Sequence, residues 1–356
     1  MAKLTAISGV GSKGPACFLV DTGRARLMLD LGYGPAPDQW PDVSRVGRVD
    51  ALLLSHSHRD HAGALKLVQQ IGSPPLHATR SVLARLGQEG TAVPLNGETE
   101  ICGVKVRTGR NGHAPGGVWM HLDVGDGLLY TGDYSVESQI YAFDSPPPAA
   151  TVALDASYGD YSSSMEDCLS RFAPVLDEGG ALFPVPSDGR GPEMAHHVAT
   201  AHGVLPCIGG DLRASLERMA ARESDSLRSG VARELERIAR EAPPITASRG
   251  LLFAGRADAA DGETAGLVAR WEHESAPAII FSGYFPPGSP AQRLVDSGRA
   301  RYIRWNVHPR LSDNISLVRS VRARTVMPAF AEARHLDAWR AAFAPARVAL
   351  EREITL

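Results

Sequence analysis

The sequence predicts an α/β protein of two domain-sized units, and three observations carry that prediction. Its 356 residues are enough to build two hydrophobic cores. Short apolar or alternating runs, bounded by glycine and polar turns, fill the first 155 residues and read as strands. Between residues 158 and 287 the pattern changes to helical stretches alternating with short apolar runs, which argues for a parallel sheet with helices on its faces.

Composition narrows the class. A hydrophobic fraction of 44% with 22% charged residues is that of an ordinary globular chain. No apolar run approaches the ~18 residues of a membrane helix, so no membrane partner is expected. The opening MAKLTAISGVGSKG lacks the apolar core and small-residue cleavage site of a signal peptide, which makes a cytoplasmic location the expectation. Cys17, Cys102, Cys168 and Cys207 lie far apart without a CxxC pair and read as reduced structural thiols. The net charge of −3 carries no global sign of nucleic-acid binding.

In chain order, residues 3–9, 15–20 and 25–30 read as strands, the third ending at Asp30. Residues 51–54 are a buried strand followed directly by His56-Ser57-His58-Arg59-Asp60-His61, and residues 62–70 read as a helix. A second strand and helix follow at 74–78 and 79–86, with His77 a structural residue. A meander then covers 98–108, 117–124 and 128–131, with His113 before its second strand and Asp133 after its last. Gly112, Gly116 and Gly117 would let the His113 loop pass close to a buried ion. Ser145-Pro146-Pro147-Pro148 marks a rigid connection, and residues 151–154 form a core strand ending at Asp155. Beyond it the expected units are 165–178, 181–185, 192–201, a charged helical pair over 211–242, and then 245–247, 251–254, 263–273 and 278–281. Between Arg293 and Arg324 eight arginines face two acids, a local excess that would attract phosphate backbones beside His308.

The six-residue segment after the 51–54 strand carries the chemistry. Neutral imidazoles and carboxylates suit borderline divalent ions such as zinc, and two histidines two apart can grip one ion. Asp60 and His61 can turn toward a second ion beside it, and a pair of ions roughly 3.5–4 Å apart can clamp both oxygens of a phosphoester displacement.

HSHRDH resembles the HxHxDH signature of the metallo-β-lactamase superfamily. Asp30 in LMLDLG, His113 in NGHAPGG and Asp133 in LLYTGDYS resemble its further site positions in the same order. LDASYGD around Asp155, FPVPSDGRGPEM, FSGYFPPGSPAQRL and His308 in NVHPRLSDN resemble motifs of the β-CASP branch, so the likeness runs from Asp30 to His335. The resemblance implies a metallo-β-lactamase αββα sandwich with an inserted β-CASP α/β domain: residues 1–157 and 290–356 for the sandwich, 158–289 for the insert. It implies His56, His58 and His113 on one zinc ion, Asp60 and His61 on a second, and Asp133 bridging them, with Mn2+ an alternative metal. Asp30 would orient an imidazole, and Asp155 would hold His308 as a protonated general acid; Asp60, Asp155 and His308 complete the expected catalytic group.

The implied activity is metal-dependent hydrolysis of phosphodiester bonds in nucleic acid, RNA ahead of DNA, in RNA processing or degradation. A DNA exonuclease of the same branch and a small-molecule metallo-hydrolase of the superfamily are the alternatives. One departure stands out. The family closes its second metal position with a histidine in a valine-histidine-glycine segment, whereas here the stretch is Thr325-Val326-Met327-Pro328-Ala329-Phe330. Three outcomes follow: His335 substitutes, His308 enters the metal sphere, or the second ion is weak or missing. Oligomeric state is not legible from the sequence.

Overall fold

The computed structural model describes residues 1–356 except 37, 179, 275 and 276, and in it the chain divides into two compact units. The first comprises Met1–Val136, Ala142–Ser162 and His308–Leu356, and the second comprises Glu137–Tyr141 and Ser163–Val307.

Two seven-stranded sheets build the first unit. One runs Glu353–Thr355, Lys3–Ser8, Cys17–Asp21, Arg26–Leu29, Ala51–Leu53, Leu76–Ala78, Thr91–Ala92. The other runs Arg347–Val348, Thr325–Ala329, Thr151–Asp155, Leu128–Tyr130, Val118–Leu122, Val104–Arg110, Gly97–Ile101. Alternation along the strands decides what each face meets, because successive side chains point to opposite sides. Leu27, Leu29, Ala51 and Leu53 pack with Val118, Met120, Leu128 and Ala153 in a core between the sheets. Their neighbours Met28, Leu52 and Leu54 face the other way, onto Ile71, Val82 and Leu83. On the far side of the second sheet, Leu129, Val152, Leu154 and Val326 pack on Leu317 and Val321 of helix Leu311–Ser320 and on Trp339 and Phe343 of helix Leu336–Phe343. The order helix, sheet, sheet, helix is the αββα sandwich.

Parallel pairing positions the site. Arg26–Leu29 runs parallel to Ala51–Leu53, so Asp30 and the Ser55-His56 segment leave the same edge of their sheet. Leu128–Tyr130, Thr151–Asp155 and Thr325–Ala329 are mutually parallel, which brings Asp133, Asp155 and Phe330 to one edge of theirs.

The second unit holds a five-stranded, all-parallel sheet in the order Cys207–Ile208, Gly250–Gly255, Gly180–Val185, Ala278–Phe281, Ala300–Tyr302. Both faces are buried: Phe183, Phe253 and Ile280 on one, Leu182, Leu252 and Phe281 on the other. Near-continuous apolar strands are what two covered faces require.

Four expectations are corrected. The insert does not end at residue 289, because Ala300–Tyr302 adds to the five-stranded sheet and Ala291 and Leu294 pack in its core. The first unit therefore resumes at His308. The insert's other limit also shifts, from 158 to 163, with Glu137–Tyr141 joining it. The segment 62–70 is not one α-helix: a single turn at Arg59–Ala62 is followed by a 3-10 stretch at Leu65–Ile71. Residues 245–247 form no strand and run as irregular chain into Gly250–Gly255. The charged stretch does form two helices, Gly210–Arg222 and Val231–Glu241. Among the described residues no helix is long and apolar enough to cross a membrane.

One buried acid in the second unit has a measurable consequence. Glu193, 1% exposed, accepts hydrogen bonds from the Gln139 N–H and from Trp305 Nε1 at 3.3 Å. Burial pushes its carboxyl up to about 7 from 4.5. Across that window the folded chain keeps a proton the unfolded chain has lost, so stability falls as pH rises, by up to about 3 kcal/mol. Urea unfolding from about pH 5 to about pH 8 should show this slope in the wild type and a flatter one in Glu193→Gln. Parallel slopes in the two proteins would refute the assignment.

Candidate metal centre

The centre is assembled by loops that leave those strand ends. Asp30 follows its strand in the left-handed region, φ 59°, with its N–H donating to Leu53 O at 2.8 Å. Fully buried, its carboxylate accepts from Ser55 N–H (2.7 Å), Ser55 Oγ (2.7 Å), His61 Nδ1 (2.7 Å) and Tyr130 OH (2.6 Å). Those bonds assign protons. A carboxylate only accepts, so His61 carries its proton on Nδ1 and presents Nε2, which lies 3.1 Å from Asp133 Oδ1. Ser55 spends its single hydroxyl proton on Asp30, so His56 Nδ1, 3.0 Å away, donates to Ser55 Oγ. His56 Nε2 is left as a bare acceptor, buried and without a hydrogen-bond partner, 3.8 Å from Asp133 Oδ2.

His58 Nδ1 and His113 Nε2 face each other at 3.0 Å, and His113 Nε2 is 3.5 Å from Asp133 Oδ2. Two imidazole lone pairs do not approach so closely without a shared proton or a cation. His56, His58, His113 and Asp133 thus offer four ligand atoms within 4.8 Å of one another. Asp60, His61 and Asp133 form a second set, and Asp133, Asp155 and His308 a third. His308 Nδ1 lies 3.0 Å from Asp155 Oδ2, while Tyr134 N–H (3.2 Å) and Ser157 N–H (2.9 Å) also donate to that carboxylate.

The charges are interdependent. Burial, with His61 and His58 nearby, pushes His56 well down and keeps it neutral. Burial opposes charge on His61 too, but Asp133 and Asp30 reverse this and hold it well above its ordinary value. Burial would raise Asp133, yet His61 and His308 hold it well below the carboxylate range. His308, desolvated but facing Asp155 and Asp133, is raised. An ionised Asp133 beside a neutral His56 offers a carboxylate and an imidazole lone pair, donors suited to a divalent cation.

The expected site residues His56, His58, Asp60, His61, His113, Asp133, Asp155 and His308 therefore converge. His335 does not. Its Nδ1 turns to Asp160 Oδ1 at 3.2 Å and its ring lies against Trp339. The glycines of the His113 loop serve a different purpose from the one expected. A Cβ on Gly112 would sit 2.0 Å from Ser135 O, and one on Gly117 would sit 2.6 Å from the Asn111 amide. They admit neighbouring protein, and Gly32 does the same beneath the carbonyl of Asp60. The arginine excess is divided between the two units. Arg293, Arg299, Arg301 and Arg304 belong to the second unit and Arg310, Arg319, Arg322 and Arg324 to the first. Arg301 pairs with Glu178, Arg310 with Asp313 and Arg324 with Asp126, while Arg299 donates to the carbonyls of Trp271 and Glu272. Sequence reasoning missed Ser55, Tyr130 and Phe330. The one available signal was a tyrosine ending an otherwise apolar strand beside the site.

A family model described as the metallo-beta-lactamase superfamily matches residues 11–174, which span the metal loop, His113, Asp133 and Asp155. Over that stretch, a little under half of its length, the chain is similar to the metallo-β-lactamase superfamily. It carries the inserted α/β unit expected of the β-CASP branch. Among similar proteins is "Ribonuclease TTHA0252" of Thermus thermophilus, 29% identical over 54% of this chain and 53% of that one. Another is "Transcription termination factor FttA" of Methanosarcina mazei, 26% identical over 54% of this chain and 38% of its own length. "Cleavage and polyadenylation specificity factor 73" of Drosophila melanogaster is 24% identical over 52% and 34%. The chain thus spans between about a third and about half of the length of these curated relatives. A solved structure titled "Crystal Structure of a Protein of Unknown Function from Enterococcus faecalis V583" matches along the whole of both chains, with TM-score 0.63 and 14% identity, and shares this chain's fold.

Proposed function

We propose that this protein is a metal-dependent nuclease hydrolysing phosphodiester bonds, with RNA preferred over DNA. The observation that carries the reading is the four-donor set of His56, His58, His113 and Asp133, in which the buried Nε2 of His56 has no other partner. Three imidazoles and one carboxylate favour zinc, with Mn2+ the alternative. Bound there, the ion would polarise the phosphodiester and make water at the site acidic enough to attack near neutral pH. The printed names of the relatives, a ribonuclease, a transcription termination factor and a cleavage and polyadenylation specificity factor, support RNA as substrate. Action in the cytoplasm fits the same reading.

The remaining roles belong to this chain's own side chains. Asp30 holds the His61 ring so that Nε2 faces Asp133, and through Ser55 it keeps the proton of His56 on Nδ1. Asp155 anchors His308 at Nδ1, leaving Nε2 to carry a proton to the departing oxygen. His308 is the more accessible of the pair, its side chain 19% exposed against a fully buried Asp155.

End-labelled RNA and DNA of matched sequence, incubated with zinc-loaded protein and with a chelator control, test the reading. Chelator-sensitive cleavage with RNA cut faster is expected. If both polymers stay intact while a small ester is turned over, the small-molecule hydrolase replaces this proposal.

A further inference from the structure

We propose that the chain holds a single cation tightly, because Phe330 occupies the flank from which a second position would need another donor. The inference rests on the metal reading of the cluster and concerns the number of ions, not the substrate. Asp133 presents Oδ2 toward His56 and His113 and Oδ1 toward His61. The first position thereby has four candidate protein donors. The second has Asp60, His61 and the other carboxylate oxygen of Asp133, and among the described residues no further His, Cys, Asp or Glu joins that set.

What stands at His61 instead is the edge-on ring of Phe330, 5.0 Å between centroids. Phe330 follows the end of strand Thr325–Ala329 with φ 63°, and it is 5% exposed. Its N–H donates to Gly9 O at 2.6 Å, and its ring packs edge-on against Phe18. Backbone and ring are both anchored, so this is a built wall of the site and not a side chain that swings aside. An apolar ring offers no lone pair, and a cation beside it loses hydration without gaining a ligand. The other two histidines in question are committed: His335 to Asp160, and His308 to Asp155.

The test is metal retention by the full chain. Protein is loaded with zinc, desalted into metal-free buffer and assayed by plasma emission spectroscopy, with native mass spectrometry as an independent count. Wild type should keep about one zinc per chain, and Phe330→His about two. Asp60→Asn should keep the wild-type amount, and His113→Ala close to none. Wild type keeping about two, with Asp60→Asn reducing that to about one, would overturn the proposal, and this comparison does not depend on Phe330→His folding. A well-folded Phe330→His protein that gains no zinc would also overturn it. Single-zinc protein that cleaves no nucleic acid would sink the nuclease reading and leave this inference standing. Two-zinc protein that cleaves RNA would do the reverse, and protein that keeps no zinc would end both.

Discussion

Replacing His56 with alanine is expected to strip the centre of its cation and, with it, phosphodiester hydrolysis. The imidazole is fully buried, and with its Nδ1 bonded to Ser55 its Nε2 is left as the atom that faces the other three donors. Loss of a group that only supports a ligand typically costs 10–100-fold in metal affinity, so loss of a ligand should cost well over about 100-fold. Zinc content after desalting, measured beside circular dichroism, checks the prediction and separates loss of the ion from loss of the fold. A folded His56→Ala protein with wild-type zinc would show that the four-donor set is not the binding site.

His308→Ala should behave differently, keeping its zinc but losing about 10²–10⁴ in rate on RNA, the usual worth of a positioned proton donor. His308 is not one of the four donors: it lies 3.7 Å from Asp133, its ring packs on that of His113, and its short contact is the 3.0 Å bond to Asp155, so removing it leaves all four donors in place. The substrate decides between a proton donor and a packing residue. A phosphodiester with a nitrophenolate leaving group needs no proton on departure, so the variant's deficit should shrink sharply on it. Equal deficits on both substrates would assign His308 to positioning alone. Full activity on RNA would remove it from the mechanism.

The legible part of the site was the part that local spacing controls. HSHRDH puts its ligands into one turn after a buried strand, so His56, His58, Asp60 and His61 could be named from adjacency and chemistry. His113, Asp133, Asp155 and His308 were legible because each sits in a motif, in the expected order, at a strand end or in a loop. The proton assignment through Asp30 was not legible. It depends on Tyr130, one hundred residues away in the chain, reaching the same carboxylate as Ser55 and His61. The arginine excess misled for the same reason: a run of like charges counts neighbours in sequence, and Arg301, Arg310 and Arg324 find acids elsewhere.

By itself the sequence determined the αββα class, the inserted α/β unit and the chemical nature of the side chains that cluster, since period-two alternation and motif spacing are local properties of the chain. Only the tertiary structure decided where the insert ends, which histidine is excluded, and what stands beside His61. Residues 290–307 stay with the insert because a strand edge and an apolar core take them, and His335 is lost to Asp160. Phe330 walls the second metal position because its backbone bonds Gly9 and its ring packs on Phe18, contacts more than three hundred residues apart in the chain.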